Sequence, residues 1–281
     1  MGLATMVDGR GHFDLSAVDP RADGGIQRDE ADEGLRRLST ELRELQELMF
    51  AAKTHAILVI LQGMDAAGKD VTIRNVFSAA NPQACKVQAF SEPSKEEQAH
   101  HFLWRADQAT PPLGELMIFD RSFYEQLVLG QVNDDVSEQD LRRRFAHTCH
   151  FEQILADHGT ILFKVFLHVS KDEQWQRLEA RQDNPETAWK ISPRDWQARQ
   201  KWDAYMAAYE TTIQATAVEP APWYVVPSDH QWFHNLAVAE AIVQRLRPYR
   251  AAWTEARNRK GAEKAAEAKA AQAESGGETS S

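Results

Sequence analysis

Residues 56–80 read AILVILQGMDAAGKDVTIRNVFSAA, and three local patterns follow one another along them. AILVIL is an unbroken apolar run, which suits a strand covered on both faces within a parallel sheet. GMDAAGK, Gly63 to Lys69, has the G-x-x-x-x-G-K spacing of a phosphate-binding P-loop, and TIRNVFSAA after it reads as a helix. Glycines let such a loop curl so that successive N–H groups and the helix N-terminus face phosphate oxygens, while the lysine adds a mobile positive charge. The expected phosphate cradle is therefore Gly63, Met64, Ala66, Ala67, Gly68 and Lys69, continued by Asp70 and Arg74 at the start of the helix.

The loop departs from the common pattern at Asp70, where most P-loop NTPases place a Ser or Thr that binds magnesium. A second carboxylate, Asp65, lies inside the loop. Two acids in a phosphate cradle make sense if one binds a divalent cation or orients an attacking phosphate oxygen, so an ordinary ATPase or GTPase is disfavoured. Some fifty residues on, LMIFDRS (116–122) is an apolar strand ending in Asp120 and Arg121. An acid at the end of a neighbouring strand is where a second magnesium-binding carboxylate is expected, and Arg121 is placed to touch the transferred phosphate. Asp65 and Asp120 are thus the candidate metal ligands.

Further apolar runs at 87–90, 116–119, 161–169 and 223–226, separated by helical material, predict an α/β fold: a P-loop kinase-like three-layer sandwich around a central parallel five-stranded sheet. Leu35, Leu38, Leu42, Leu45, Leu48 and Met49 recur at helical spacing before the first strand, as on an amphipathic helix ending near Lys53. The polar stretch 171–212 is too long for a simple crossover and is expected to form a helical lid. Within it Arg177 and Arg181 share a helix face, Lys190 follows, and Trp175, Trp189, Trp196 and Trp202 are expected to pack. Residues 1–30 read as a flexible acidic arm, 31–250 as the kinase domain and 251–281 as an Ala/Lys/Glu-rich tail, helical in part and disordered at its end. The pair His100 and His101 and the run Arg142 to Arg144 read mainly as solvated surface.

Composition narrows the classes. The 281 residues carry a formal charge of −10 with 43% hydrophobic residues, enough apolar material for a substantial core. Cys85 and Cys149 stand alone, without disulfide or zinc spacing. The longest apolar run is too short to span a bilayer and the N-terminus lacks a signal-peptide layout, so a cytoplasmic protein with no membrane partner is expected. The acidic balance opposes a nucleic-acid partner. Residues 1–34 hold eight acids against three bases, half of the net charge, so a polyanion would need a narrow basic channel built from Lys69, Arg121 and the lid cations.

These segments together resemble the polyphosphate kinase 2 family, and within it the branch called class III. The resemblance runs from about residue 35 to 246 and rests on QGMDAAGKDVTIRNV, NPQAC and FLWR, FDRSFYE, the stretch RLEARQDNPETAWKISPRDWQARQKWDAYMAAYE, and APWYVVPSDHQWF. It implies magnesium-dependent, reversible transfer of the terminal phosphoryl group of inorganic polyphosphate to a nucleoside mono- or diphosphate, with manganese as a substitute ion and a homodimer or homotetramer as the assembly. It also implies that Asp65 orients the acceptor or metal, that Asp120 binds magnesium, and that Arg121, Arg177, Arg181 and Lys190 contact phosphates. The chain departs from that branch at Asp120, where Asn is frequent, and at Ser91, Glu92 and Gln131, where basic residues are usual. Two alternatives stay open on the sequence: an ATP-dependent nucleoside monophosphate kinase, and a catalytically weakened protein that binds nucleotide or polyphosphate.

Overall fold

The computed structural model describes residues 2–277. In chain order the elements are β1 (Thr5–Val7), α1 (Arg28–Ala52), β2 (Ala56–Gln62), α2 (Lys69–Val76), β3 (Cys85–Ala89), α3 (Lys95–Gln98), α4 (Trp104–Asp107), β4 (Leu116–Asp120), α5 (Tyr124–Val132), α6 (Glu138–Asp157), β5 (Thr160–His168), α7 (Lys171–Asp183), α8 (Pro193–Gln200), α9 (Trp202–Thr216), β6 (Trp223–Pro227), α10 (Gln231–Leu246) and α11 (Arg250–Gly277). All seven residues of β2 are buried, as its apolar run requires. α1 buries Leu38, Leu42, Leu45 and Met49 and closes on Lys53, which turns left-handed and returns its N–H to Met49 O.

The sheet order is β1-β6-β5-β2-β4-β3. β2, β3, β4, β5 and β6 are parallel, in agreement with the five expected strands. α1, α2, α10 and α11 pack together, while α5, α6 and α9 form a second group. A buried Lys164–Glu152 ion pair, 2.7 Å long and tied also to Tyr124 Oη and Thr216 O, joins β5 to that second group. The chain leaves β2 for the sheet edge at β3, returns through β4, and then crosses to β5 on the other side of β2. Open α/β sheets bind ligands outside the strand C-termini at such a reversal.

Three expectations are corrected here. The sheet has six strands, because β1 pairs antiparallel with β6. The first thirty residues, expected as a flexible arm, are tied to the body: the N–H groups of Leu3, Phe13 and Leu15 donate to Glu240, Gln214 and Glu210, and Phe13 and Leu15 are buried. Thirdly, α9 is not a projecting part of a lid, since it buries Ala208, Tyr209, Thr212 and Ile213 and packs on α5 and α6. The tail is helical through Gly277, and its expected disordered end lies, from residue 278, outside the described residues. No described helix is long and apolar enough to cross a membrane.

Candidate active site

The P-loop turns at β2's C-terminal end. Gly63, at φ +146°, passes so close to β5 that a Cβ there would stand 2.8 Å from Leu167 O. Gly68, at φ +113°, packs on His234 of α10, whose Cε1 a Cβ would meet at 2.6 Å. These two positions need glycine both for backbone angle and for space. Ala66 adopts φ +62° without being glycine, a strained conformation of the kind that collects at functional loops.

The loop's carbonyls face into the protein. Lys69 Nζ donates to Gly63 O at 2.8 Å and Met64 O at 3.1 Å. Gln174 Nε2 donates to Asp65 O at 3.1 Å, and Arg177 Nη1 to Ala66 O and Ala67 O at 3.1 and 3.2 Å. Gly68 O accepts from Thr72 N and Thr72 Oγ1. The backbone N–H groups of Asp65, Ala66, Gly68 and Lys69 have no protein acceptor among the described residues. The Ala67 N–H is bonded to Met64 O at 3.1 Å, but a loop with its carbonyls all engaged and these four amides uncommitted is an anion receptor.

On one side of the loop lies a cleft of about 340 Å³, walled by Gly63, Met64, Asp65, Arg121, Ser122 and Glu125. The 90–93 turn, Arg105, Arg194, Tyr205 and Tyr209 complete it. Arg121, at φ +64°, makes an ion pair with Asp65. Burial alone would raise the Asp65 carboxyl, but Arg121 and then Lys69 hold it below the usual carboxylate range. Asp195 of α8 faces Asp65, and burial together with the Asp65 charge pushes the Asp195 carboxyl above the usual carboxylate range. Glu125 is fixed by Gln62 Nε2 at 2.9 Å, and Gln62 Oε1 accepts from Ser122 Oγ at 3.1 Å.

Asp70, Arg74, Arg181 and Lys190 form a second group that does not line this cleft. Asp70 takes an ion pair from Lys190 at 3.2 Å and one from Arg74 at 3.8 Å. Burial opposes its ionisation, yet Lys190 and Arg181 hold its carboxyl low. Asp120 is the last residue of β4 and level with Leu61 of β2; its carboxylate receives no hydrogen bond or salt bridge from a described residue, although its charge reaches Lys69 and Arg121. Lys69 is pushed down by burial and by Arg121, against the pull of Asp65 and Asp120.

Arg177 departs from its expected role. All five of its N–H directions are taken, by Glu173, Ala66 O, Ala67 O, Ser228 O and Asp229 O, and its side chain is only 11% exposed. It is therefore not presented to a phosphate. Trp189, expected to pack, is 77% exposed, whereas Trp175 and Trp196 meet edge to face. Gln131 donates to Leu127 O and Thr212 Oγ1 and so joins α5 to α9 rather than facing the cleft. Glu92 does stand at the cleft rim, paired with Arg194 of α8 at 2.9 Å. Asp195, Glu125, Tyr205, Tyr209, Gln174 and His234 escaped the sequence reading; Asp195 shows there only as the fourth residue of a Ser-Pro-Arg-Asp helix start.

Burial, reinforced by the Arg177 charge, lowers His234 to about 3. An imidazole ordinarily near 6.5 that stays neutral in the fold costs stability in acid, because below that pH the unfolded chain takes up a proton that the native chain refuses. The loss runs at roughly 1.4 kcal/mol per pH unit, or about 2 kcal/mol between pH 7 and 5. Replacing His234 with Gln is expected to remove that share of the acid sensitivity. Urea unfolding at both pH values checks it, and an unchanged pH dependence would exclude His234 as the source.

The sequence profile of the polyphosphate kinase 2 family matches residues 25–252. The AMP/ADP-polyphosphate phosphotransferase of Meiothermus ruber is 45% identical over 240 residues, which cover 84% of this chain and 89% of that one. The ADP-polyphosphate phosphotransferase of Rhodopseudomonas palustris is 40% identical over 233 residues, 79% of this chain and 81% of the relative. The crystal structure of polyphosphate kinase 2 from Arthrobacter aurescens TC1 superposes with a TM-score of 0.82 at 38% identity and covers 87% of each chain.

Proposed function

The chain belongs to the polyphosphate kinase 2 family, and on that premise we propose that it moves a phosphoryl group between inorganic polyphosphate and a nucleoside mono- or diphosphate bound in the cleft beside Arg121. AMP and ADP are the acceptors that the Meiothermus relative's name supplies. The observation that carries the reading is the loop itself: uncommitted amides lie between a cleft lined by Asp65 and Arg121 and a second cationic surface of Lys190, Arg181 and Arg74 around Asp70. The acceptor's phosphate enters from the cleft, and the end of the polyphosphate chain lies along the cationic surface. The cleft volume suits one nucleotide.

An acceptor phosphate is already anionic, so its oxygen needs no strong base. Positioning and charge neutralisation do the work, as is general for phosphoryl transfer. Arg121 holds Asp65 beside the cleft, Lys69 and the loop amides neutralise the phosphate in transit, and Asp195 meets Asp65 from the lid. The donor set also fits magnesium. No cluster of three His, Cys, Asp or Glu able to hold a metal occurs among the described residues, and magnesium is usually held by one or two carboxylates together with substrate phosphates. Asp120, whose carboxylate has no partner among the described residues, and Asp65 would supply those carboxylates; when bound, the ion would neutralise phosphate charge.

Incubation with polyphosphate, magnesium and either AMP, ADP, GMP or GDP, followed by nucleotide chromatography, tests the reading. ADP from AMP, or ATP from ADP, is expected with polyphosphate as the sole donor. Product formed only when ATP is the donor would replace this function with that of an ATP-dependent nucleoside monophosphate kinase.

A further inference from the structure

Arg177 and Arg181 are one helical turn apart on α7, and spacing alone gives them the same task. Their surroundings do not. Arg181 is near enough to Asp70 for its charge to hold that carboxyl down, at the surface where Lys190 also pairs. Arg177 is turned the other way, under the loop. From the structure we infer that Arg177 is a positioning residue that, with Gln174, fixes the P-loop backbone so that its amides face the transferred phosphate, and that it touches no phosphate itself.

The accounting of backbone groups carries this. A peptide unit that turns its N–H toward a ligand turns its C=O away, and a buried carbonyl must find a donor. Three consecutive loop carbonyls, Asp65, Ala66 and Ala67, find theirs on α7: one on Gln174 and two on Arg177. The same guanidinium donates through Nη2 to Ser228 O and Asp229 O at 2.7 and 2.8 Å, so one rigid plane ties the P-loop to the segment after β6. Glu173 holds Nε at 2.8 Å and leaves that plane no freedom to swing toward substrate. Lysine, a point charge with three donors on a flexible stem, cannot reproduce a planar five-donor contact. The arrangement also reaches α8: Arg199 donates to Gln174 Oε1 at 3.1 Å and stacks over Trp175. Gln174 thus bonds α8 with its oxygen and the loop with its nitrogen.

This inference rests on the proposed phosphoryl transfer for its catalytic consequence but not for its structural one, so its test has two readouts. The first needs no substrate. In Arg177→Lys, hydrogen exchange at the amides of residues 63–68 is expected to quicken while that of β2 and β5 stays as in the unaltered protein. The second is kinetic. Arg177→Lys and Gln174→Leu are expected to lower kcat on the order of 10²-fold, the scale of an ångström of misplacement. Neither should change the slope of log affinity for polyphosphate against log salt, whereas loss of a phosphate-contacting cation, with Arg181→Ala as the comparator, reduces that slope by about one. Unchanged loop exchange in Arg177→Lys overturns the inference, and so does a fall of about one in its salt slope. An unaltered protein that fails to use polyphosphate would overturn the functional reading alone, since the exchange result stands apart from it.

Discussion

Lys69→Ala is expected to lower kcat/KM for phosphoryl transfer on the order of 10²- to 10³-fold while leaving the fold intact, the scale found when one preorganised donor to a developing charge is removed. Lys69 is the first residue of α2, and its ammonium lies over its own loop on Gly63 O and Met64 O. Two of its three donors are used there, and the third is left for a phosphate oxygen. Its contacts are polar and local rather than part of the packing between sheet and helices, so the expected loss is one of rate. Burial and Arg121 work against its charge, while Asp65 and Asp120 support it. An incoming phosphate adds to that support, so the ammonium gains most when substrate is bound. Steady-state kinetics beside urea unfolding separate rate from stability. Near-normal turnover in a folded Lys69→Ala protein would remove the P-loop from the reaction.

The parts of the site that sequence makes visible are those whose chemistry is local. The P-loop is read from seven consecutive residues because its glycines, its lysine and the flanking strand and helix all lie within one short segment. Asp120 and Arg121 are visible because an apolar strand announces where it ends. Long-range pairing is not visible. β1 is three residues long, and nothing in Thr5 to Val7 shows that its partner is β6, more than two hundred residues away. Nor does an Asp- and Gly-rich N-terminus reveal that its backbone N–H groups dock on acids of α9 and α10.

The lid shows the same limit in its side chains. Helical spacing puts Arg177 and Arg181 on one face, but only the approach of the P-loop to α7 decides that the first is consumed by carbonyls. Tyr205 and Tyr209, one turn apart on α9, carry no functional signal in the sequence, yet both line the cleft. The opposite error occurs at Gln131, where a missing positive charge suggests weakened phosphate binding. Its amide in fact braces two helices, so that position gives no support to a catalytically weakened protein. Glu92 is different, because its carboxylate occupies Arg194 at the mouth of the cleft. An exposed pair of this kind is worth less than about 1 kcal/mol, and a polyanionic substrate can displace it.

Asp120→Ala is expected to cost a further large factor in rate, again on the order of 10²-fold or more, and to raise the magnesium concentration needed for half-maximal activity. The reason is the uneven fate of the two candidate metal-binding carboxylates. Asp65 is committed to Arg121 and faces Asp195. The Asp120 carboxylate has no hydrogen bond or salt bridge from any described residue, yet Asp120 stands at the end of β4, level with Leu61 just before the P-loop. An anionic group in that position repels phosphate unless a cation lies between them, so the proposed divalent ion shared with substrate would account for its placement. Asp120→Asn separates charge from ligation: the amide oxygen can still coordinate, so the Asn protein should fall between the unaltered enzyme and the Ala variant in both rate and metal requirement. Metal titrations of the three proteins at fixed polyphosphate and ADP decide the matter. Identical titration midpoints would show that Asp120 does not hold the ion, and equal activity of Asn and Ala variants would show that its charge, not its oxygen, is what the reaction uses.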